Sequence, residues 1–442
     1  MSRHSSIERS PLLARVRRLG VVGRLGWGVA DQGVSSLSNF AMGIIAARSL
    51  GSEGFGAFSL AYVTYAFVLN AARGVATDPL VVRFSGQPQP VWRSAVAAAS
   101  ATSAAAGVLA GAVCALVGLL LPSEIRGGFI ALGIALPALL LQDSWRFAFF
   151  AARRPALALV NDLVWGTTMV AALVLLLVSG HTGVTSFVLA FGGSAGIAAL
   201  FGLWQSKVRP RPGFVRSWVS DHRDLGGRYL IENVSIGGAR QLRMFALGGF
   251  AGLAAVGDTR GAEILMGPFL VILMGASQVA VPEASHVIQR VPRRLIHFCL
   301  ALGAVLASTA AVWGVTILLL LPTGLGELLL GSIWVPASAL LPAVIIAFFM
   351  GGFEIAAAAG VRALGAARRS LKAQLTAAAF YVVCGSAGAY VDGARGSAWG
   401  VAVATTAGTL VWWVQLRRSL DEHLTAYSGI ATEPDRPDRI PT

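Results

Sequence analysis

The sequence predicts an all-α, multi-pass membrane protein of about twelve transmembrane helices. Hydrophobic residues make up 55% of the 442-residue chain, charged residues only 13%, and the mean hydropathy is +0.70. Apolar runs of about 20 residues, the length that crosses a bilayer, recur along the chain. Because the bilayer core offers no water to backbone polar groups, these runs should be helices.

Twelve runs qualify as transmembrane spans. The first is polar and long for a signal-peptide core, and no small-residue cleavage site follows it, so we expect it to be retained. The predicted spans are 27–47, 57–77, 94–121, 127–151, 156–179, 184–206, 229–250, 258–281, 295–321, 334–359, 373–391 and 397–416.

The distribution of basic residues predicts the orientation of these spans. With the N-terminus inside, 27 of the 35 Lys and Arg residues lie in inside segments, and the other eight lie in outside loops or within spans. This bias follows the positive-inside rule and places both termini in the cytoplasm. It also accounts for the net charge of +14, which we therefore assign to topology and contact with anionic lipids rather than to nucleic acid.

The chain is expected to divide into two six-helix bundles. Residues 1–26 form a basic cytoplasmic segment, 27–206 the first bundle, 207–228 a cytoplasmic connection, 229–416 the second bundle, and 417–442 a disordered tail. Leu50, Gly54 and Pro79 match Leu253, Gly257 and Pro282 at a displacement of 203 residues. That displacement predicts parallel repeats related by an axis along the membrane normal, with a substrate site between the halves.

Cysteine and histidine form no catalytic or metal-binding pattern. Cys114, Cys299 and Cys384 lie far apart inside spans, without CxxC spacing. They are expected to be packing thiols rather than metal ligands or disulfides. The sequence shows no Ser-His-Asp pattern and no phosphate-binding glycine loop, and the outside loops carry no paired carboxylates. We therefore expect no cofactor, no metal and no enzymatic activity.

The first span carries an unusual polar face. In WGVADQGVSSLSNFAMGIIAA, a helical repeat of 3.6 residues stacks Asp31, Ser35 and Ser38, with Asn39 and Gln32 beside them. Such a face must contact protein or water rather than lipid. A carboxylate inside a membrane is by default a candidate for function, although a structural hydrogen bond between helices is the alternative.

The seventh span has a similar face with opposite charge. YLIENVSIGGARQLRMFALGGF places Glu232, Arg240 and Arg243 along one stripe. Because Arg240 and Arg243 are three residues apart, their guanidinium groups point the same way. The planar fork of arginine suits a phosphate, and pairing with Glu232 or with acids on neighbouring helices is the alternative.

Further charged and polar residues lie in the inner half of the predicted membrane. Arg73 and Asn70 share a face of the second span, and Asp143 and Arg146, three residues apart, are expected to pair with each other. The other members of this group are Asp162 and Glu354. The pattern fits either an inner cavity that admits an anionic head group or a cytoplasmic gate of ion pairs.

The stretches WGVADQGVSSLSNF, AARSLGSEGFGAFSLAY, QDSWRFAFFAARRP and NDLVWG resemble the first spans of polysaccharide-export flippases. These belong to the multidrug/oligosaccharidyl-lipid/polysaccharide (MOP) exporter superfamily. The similarity is best over positions 1–170; the second half agrees in span count and in an Arg-bearing seventh span. The resemblance implies two six-helix bundles around a central cavity, working by alternating access.

The resemblance also implies a substrate: a polyprenyl-pyrophosphate-linked oligosaccharide, flipped from the inner to the outer leaflet. Arg outnumbers Lys 33 to 2 and Ala is abundant, which indicates a GC-rich bacterial genome and therefore a bacterial plasma membrane. Glycan-assembly membrane proteins are then expected partners. Candidate substrate-binding residues are Arg73, Arg240, Arg243, Arg146, Asn70, Asn39 and Gln32; candidate coupling or gating residues are Asp31, Asp143, Asp162, Glu232 and Glu354. A cation-coupled multidrug or metabolite antiporter is the alternative. A membrane glycosyltransferase or polymerase is disfavoured because every predicted outside loop is short.

Overall fold

The computed structural model describes residues 11–321 and 324–431, and these residues form helices and short connections without a strand. The predicted all-α class is therefore confirmed. The α-helices are α1 Pro11–Val75, α2 Thr77–Phe84, α3 Gln89–Leu120, α4 Ser123–Ala151, α5 Pro155–Val178, α6 Val184–Ser206, α7 Val215–Asp221, α8 Arg223–Leu265, α9 Gly267–Arg290, α10 Leu295–Leu320, α11 Leu325–Leu330, α12 Trp334–Ala363 and α13 Ala367–Ala431. Three-residue 3-10 turns lie at Pro212–Phe214, Pro292–Arg294 and Gly331–Ile333.

Three of the long helices are interrupted by backbone breaks. Gly51 in α1 has φ 65° and ψ 178°, and Gly252 in α8 has φ 84° and ψ 175°. Only glycine adopts such a positive φ without steric cost. In α13 the break lies at Asp392 and Gly393. The helix folds back there, since a Cβ on Gly388 would overlap the carbonyl of Gly396.

These breaks reconcile the structure with the predicted number of spans. Eight stretches of the described residues are long and apolar enough to cross a membrane. Two of them, Ala30–Phe84 and Ala367–Thr425, each contain a break and each cover two predicted spans. The predicted span 229–250 lies in α8, and the predicted span 258–281 runs from the end of α8 into α9; neither is among the eight.

The two glycine breaks reveal a repeat whose register differs from the predicted one. Gly51 and Gly252 have the same backbone conformation. In the sequence they are two residues closer together than the pairs of identical residues that suggested the repeat. The following helices cross reciprocally: a Cβ on Gly56 would overlap the carbonyl of Leu253, and one on Gly257 would overlap the carbonyl of Ser52. Ser52 and Leu253 have the same separation as the two breaks, so the contact is symmetric about a pseudo-two-fold axis. The pairs of identical residues gave the wrong register because identical residue types recur by chance along a sequence. A shared backbone conformation is a more specific marker of a repeat.

The chain divides into two compact units. The first unit comprises the chain to Ser49 and Thr64–Val234, and the second comprises Leu50–Val63 and the chain from Ser235. In the first unit, buried Trp92, Trp145 and Phe149 join the beginning of α3 to the end of α4. The indole Nε1 of Trp92 donates a hydrogen bond to the carbonyl of Ala148 at 3.0 Å. This core holds α4, which carries Asp143 and Arg146, in a fixed position.

The second unit is centred on α10, α12 and α13. Its core includes Cys299, Ala356, Val361, Trp412 and Leu416, all at most 1% exposed. Helix α12 approaches α10 and α13 closely at Gly360, because a Cβ there would meet Leu416 of α13 and the thiol of Cys299 of α10.

The C-terminal segment corrects one prediction. The tail expected to be disordered from residue 417 is helical to Ala431, and Leu420 and Ser419 are buried. Arg369 forms an ion pair with Glu422 and donates a hydrogen bond to Gln415 at 3.1 Å. These partners are distant in sequence, so no local pattern indicated them. Residues 432–442 and 1–10 lie outside the described residues.

Candidate functional site

The first unit contains a buried cluster of charged residues centred on Arg146. The Arg146 guanidinium binds Asp31 Oδ2 through Nη2 at 2.6 Å and through Nε at 2.8 Å. The same group donates a hydrogen bond to Gln32 Oε1 at 3.2 Å and lies 3.5 Å from Asp162 Oδ2. Arg146 therefore joins α1, α4 and α5. The planar fork of arginine lets one side chain contact three partners on two helices, which the single ammonium of a lysine does less well.

The two aspartates around Arg146 are almost completely buried. Asp31 is 0% exposed and Asp162 is 2% exposed. Oδ1 of Asp31 and Oδ2 of Asp162 accept no hydrogen bond within the part of the chain that the structure describes. A single guanidinium thus faces two carboxyl groups.

A second ion pair lies beside the first. Arg73 donates to Asp143 Oδ1 from Nη2 at 2.6 Å and to Asp143 Oδ2 from Nε at 2.9 Å. This is a two-bond, fork-to-fork geometry, the strongest form of the Arg–Asp interaction. The guanidinium carbon of Arg73 also lies 5.0 Å from the ring centroid of Phe147.

These contacts correct the predicted pairing within α4. Asp143 and Arg146 do not pair with each other; Asp143 binds Arg73 from α1, and Arg146 binds Asp31 and Asp162. Neighbouring helices bring partners that offer two parallel hydrogen bonds. A pair three residues apart on one helix has less freedom to reach that geometry, so the contacts between helices prevail.

The amides that support this cluster were missed by the sequence analysis. Gln142 Nε2 donates to Asp162 Oδ1 at 2.9 Å and to Asn161 Oδ1 at 3.3 Å. Asn161 Nδ2 in turn donates to the carbonyl of Ala198 at 3.0 Å and to Gln205 Oε1 at 3.2 Å. Gln142 and Asn161 directly precede Asp143 and Asp162 in the sequence, and this position could have indicated that they belong to the cluster. These bonds fix the orientation of the Asp162 carboxyl group.

Two predicted binding residues use their amides locally. Asn39 Nδ2 donates to the carbonyl of Ser35 at 2.9 Å, and Asn70 Nδ2 donates to the carbonyl of Ala66 at 2.8 Å. Gln32 differs, because it contacts Arg146 and also donates to Ser36 Oγ at 3.3 Å.

The second unit holds a separate charged cluster around Glu263. Arg243, only 2% exposed, donates from Nη2 to Glu263 Oε1 at 2.6 Å. Its guanidinium carbon lies 5.2 Å from the ring centroid of Tyr381. Its side chain packs flat against α13 because Gly385 has no Cβ there. The Nε of Arg243 is buried and has no hydrogen-bond partner among the described residues.

A second arginine binds the same carboxylate. Arg260 Nη1 donates to Glu263 Oε2 at 3.3 Å and its guanidinium carbon lies 5.2 Å from the ring centroid of Tyr62. Arg240, three residues before Arg243 on α8, has an exposed side chain. Two guanidinium groups therefore bind one carboxylate. Arg260, Tyr62 and Tyr381 were not among the predicted site residues; the spacing of Arg260 and Glu263, three residues apart, was the available signal.

The remaining predicted residues are less informative. Glu354 on α12 is partly buried. The side chain of Glu232 lies outside the described residues. Arg73 belongs to the first unit, and Arg240 and Arg243 belong to the second, so their predicted convergence stays a prediction. Among the described residues, no group of three or more His, Cys, Asp or Glu side chains could hold a metal ion.

Solved structures of low sequence identity share this fold. An inward-facing MATE family multidrug transporter of the MOP superfamily aligns with a TM-score of 0.71 and 13% identity, over 90% of this chain and 99% of that chain. The lipid II flippase MurJ aligns with a TM-score of 0.67 and 12% identity, over 93% and 94%. A MOP superfamily transporter from Pyrococcus furiosus aligns with a TM-score of 0.57 and 13% identity, over 91% and 95%.

The chain therefore shares the fold of these transporters. No protein-family model matches the sequence, and the curated proteins also give no match. At 12–13% identity, these structures support the fold without identifying a subfamily or a substrate.

Proposed function

We propose that this protein is a membrane transporter that flips a polyprenyl-pyrophosphate-linked oligosaccharide from the inner to the outer leaflet by alternating access. The transported glycan would serve cell-surface polysaccharide biosynthesis in a bacterial plasma membrane. The observation that carries this proposal is the surplus of guanidinium groups at Glu263: Arg243 and Arg260 both bind this carboxylate, and the exposed Arg240 lies three residues before Arg243 on α8.

An anionic ligand explains why this surplus is retained. Insertion of an arginine near the bilayer centre costs about 2.5–3.5 kcal/mol on translocon scales, so an unneeded one is disfavoured. Charge-assisted, two-pronged hydrogen bonds from arginine to a pyrophosphate offset that cost. The buried Nε of Arg243, which has no partner among the described residues, is a donor that such a ligand would use.

The alternative is a cation-coupled multidrug or metabolite antiporter, and the first unit supplies the observation that favours it. Three aspartates, Asp31, Asp143 and Asp162, share two arginines, Arg73 and Arg146. This acidic surplus would suit a proton or cation. Both kinds of transporter occur among the structures of similar fold, so the fold does not choose between them. The two observations are compatible if a coupling site lies in one unit and an anion-binding site in the other.

The flippase proposal predicts a loss of glycan export in the Arg240→Ala/Arg243→Ala variant. Activity should fall at least tenfold at matched membrane abundance, because the pyrophosphate loses two cationic donors. Arg243→Lys should retain part of the activity, since it keeps the charge and loses the fork. The measurement is a flipping assay with a fluorescent lipid-linked oligosaccharide. The control is Arg126→Ala, which removes an exposed arginine at the beginning of α4. Full activity in the double variant would exclude these arginines from substrate binding.

The coupling hypothesis predicts that Asp31→Asn abolishes any dependence of transport on the proton gradient. Asparagine is nearly isosteric and can still accept a hydrogen bond from Arg146, so the variant should remain folded. Transport should be measured in proteoliposomes with and without an imposed pH gradient. Asp224→Asn, at an exposed aspartate, is the matched control. A gradient dependence that survives in Asp31→Asn would remove this residue from coupling.

A further inference from the structure

The connection from Lys207 to Arg228, predicted to be cytoplasmic, is not a free linker but is docked on the first unit. Val208 and Trp218 are 5% and 4% exposed. The indole Nε1 of Trp218 donates to the carbonyl of Val75 at 3.3 Å, and His222 stacks on Trp218 with ring centroids 4.1 Å apart. The guanidinium of Arg83 binds the end of the connection: it donates hydrogen bonds to the carbonyl of Asp221 at 2.9 Å and to the carboxylate of Asp224 at 2.6 Å.

One backbone hydrogen bond fixes the depth of the connection. The amide of Arg211 donates to the carbonyl of Ala97 at 3.0 Å. Ala97 lies eight residues after the beginning of α3 at Gln89, about 12 Å along the helix axis. The predicted apolar span of α3 begins at about that level, at residue 94. By that predicted boundary, the connection lies level with the edge of the hydrocarbon core, in the layer of lipid head groups. Exposed Trp204, in the last turn of α6, is typical of the same layer.

The surface that the connection presents is both apolar and basic. Phe214 and Val219 are 45% and 41% exposed, and the guanidinium carbon of Arg211 lies 5.9 Å from the Phe214 ring centroid. The cationic side chains of the connection, all exposed, are Lys207, Arg209, Arg211, Arg216, Arg223 and Arg228. Its two carboxylates are Asp221 and Asp224, and Asp224 is paired with Arg83.

We propose that the connection is an interfacial binding surface for anionic phospholipid head groups. Phe214 and Val219 would enter the boundary of the acyl chains while Arg209, Arg211 and Arg216 contact lipid phosphates. Basic residues near an anionic bilayer contribute about 1 kcal/mol each, and apolar side chains at the same level add to the attraction. A nucleic acid or a soluble acidic protein fits less well, because an edge level with the hydrocarbon core faces lipid. This proposal does not depend on which substrate the protein transports.

The test reads the lipid composition next to the connection itself. A fluorophore is attached at Ser217→Cys, an exposed position on α7, in the full-length protein reconstituted into phosphatidylcholine vesicles. Nitroxide-labelled phosphatidylglycerol or phosphatidylcholine is then added at equal, low mole fraction. We expect phosphatidylglycerol to quench at least threefold more than phosphatidylcholine. The preference should disappear in Arg209→Gln/Arg211→Gln/Arg216→Gln and should weaken in 0.5 M salt, since salt screens these contacts.

The matched control removes equal charge elsewhere. Arg290→Gln/Arg293→Gln/Arg294→Gln neutralises three arginines of another predicted inside segment, and it carries the same label at Ser217→Cys. Its phosphatidylglycerol preference should match that of the parent. The proposal fails if the parent shows equal quenching by the two lipids, or if the preference survives in the connection variant. A preference lost equally in both variants would also overturn it, because it would then reflect net charge alone.

Discussion

Replacing Arg146 by alanine is expected to reduce the free energy of unfolding by about 3–5 kcal/mol, the usual cost of removing one partner of a buried ion pair. Asp31 and Asp162 are 0% and 2% exposed, and no other described guanidinium lies within ion-pair distance of either of them. Truncation would therefore leave two buried carboxyl groups without a cation. The loss can be measured by SDS-induced unfolding of the purified protein in mixed micelles.

The pH dependence of this loss carries a specific sign. In the variant, the two carboxyl groups can be relieved only by protonation, so the destabilisation should shrink as the pH falls. Arg146→Ala/Asp31→Asn should recover part of the stability, because one uncompensated carboxylate is removed. Arg83→Ala is the matched control: its pair with Asp224 is exposed, and its loss should cost less than about 1 kcal/mol. A cost below about 1 kcal/mol for Arg146→Ala would contradict the assignment of Arg146 as the centre of the cluster.

The second large effect is expected at the glycine crossing. Gly56→Ala should destabilise the protein by about 1–3 kcal/mol or more, because the added Cβ would overlap the Leu253 carbonyl, and backbone atoms cannot move aside as a flexible side chain does. Gly257→Ala should have a similar effect, since its Cβ would overlap the Ser52 carbonyl. Thermal unfolding in detergent measures both.

Gly249→Ala provides the control for helix propensity. It lies in α8, in the same unit, and has open space where a Cβ would be placed. Alanine should there be neutral or stabilising, by up to about 1 kcal/mol, through its higher helix propensity. If Gly56→Ala and Gly249→Ala had the same effect on stability, the close crossing at Gly56 and Gly257 would not exist in the folded protein.

The class of the protein and most of its buried charged residues could be predicted without coordinates. Composition and apolar runs were enough for an all-α membrane fold, because a bilayer leaves the backbone few alternatives. The cost of buried charge was enough to single out Asp31, Arg73, Arg146, Asp162 and Arg243, which all prove to lie in clusters of ion pairs. These inferences depend on local chemistry, which a sequence states directly.

The pairing of these charges, by contrast, depends on how the helices pack. Asp143 lies three residues from Arg146 yet binds Arg73, 70 residues away, because helix packing brings a better-oriented guanidinium to it. Glu263 meets Arg243 because the chain turns at Gly252. The register of the repeat likewise became visible only in the matching backbone breaks at Gly51 and Gly252. Pairing between helices depends on crossing points and rotation about each helix axis, and neither quantity can be read from a single sequence.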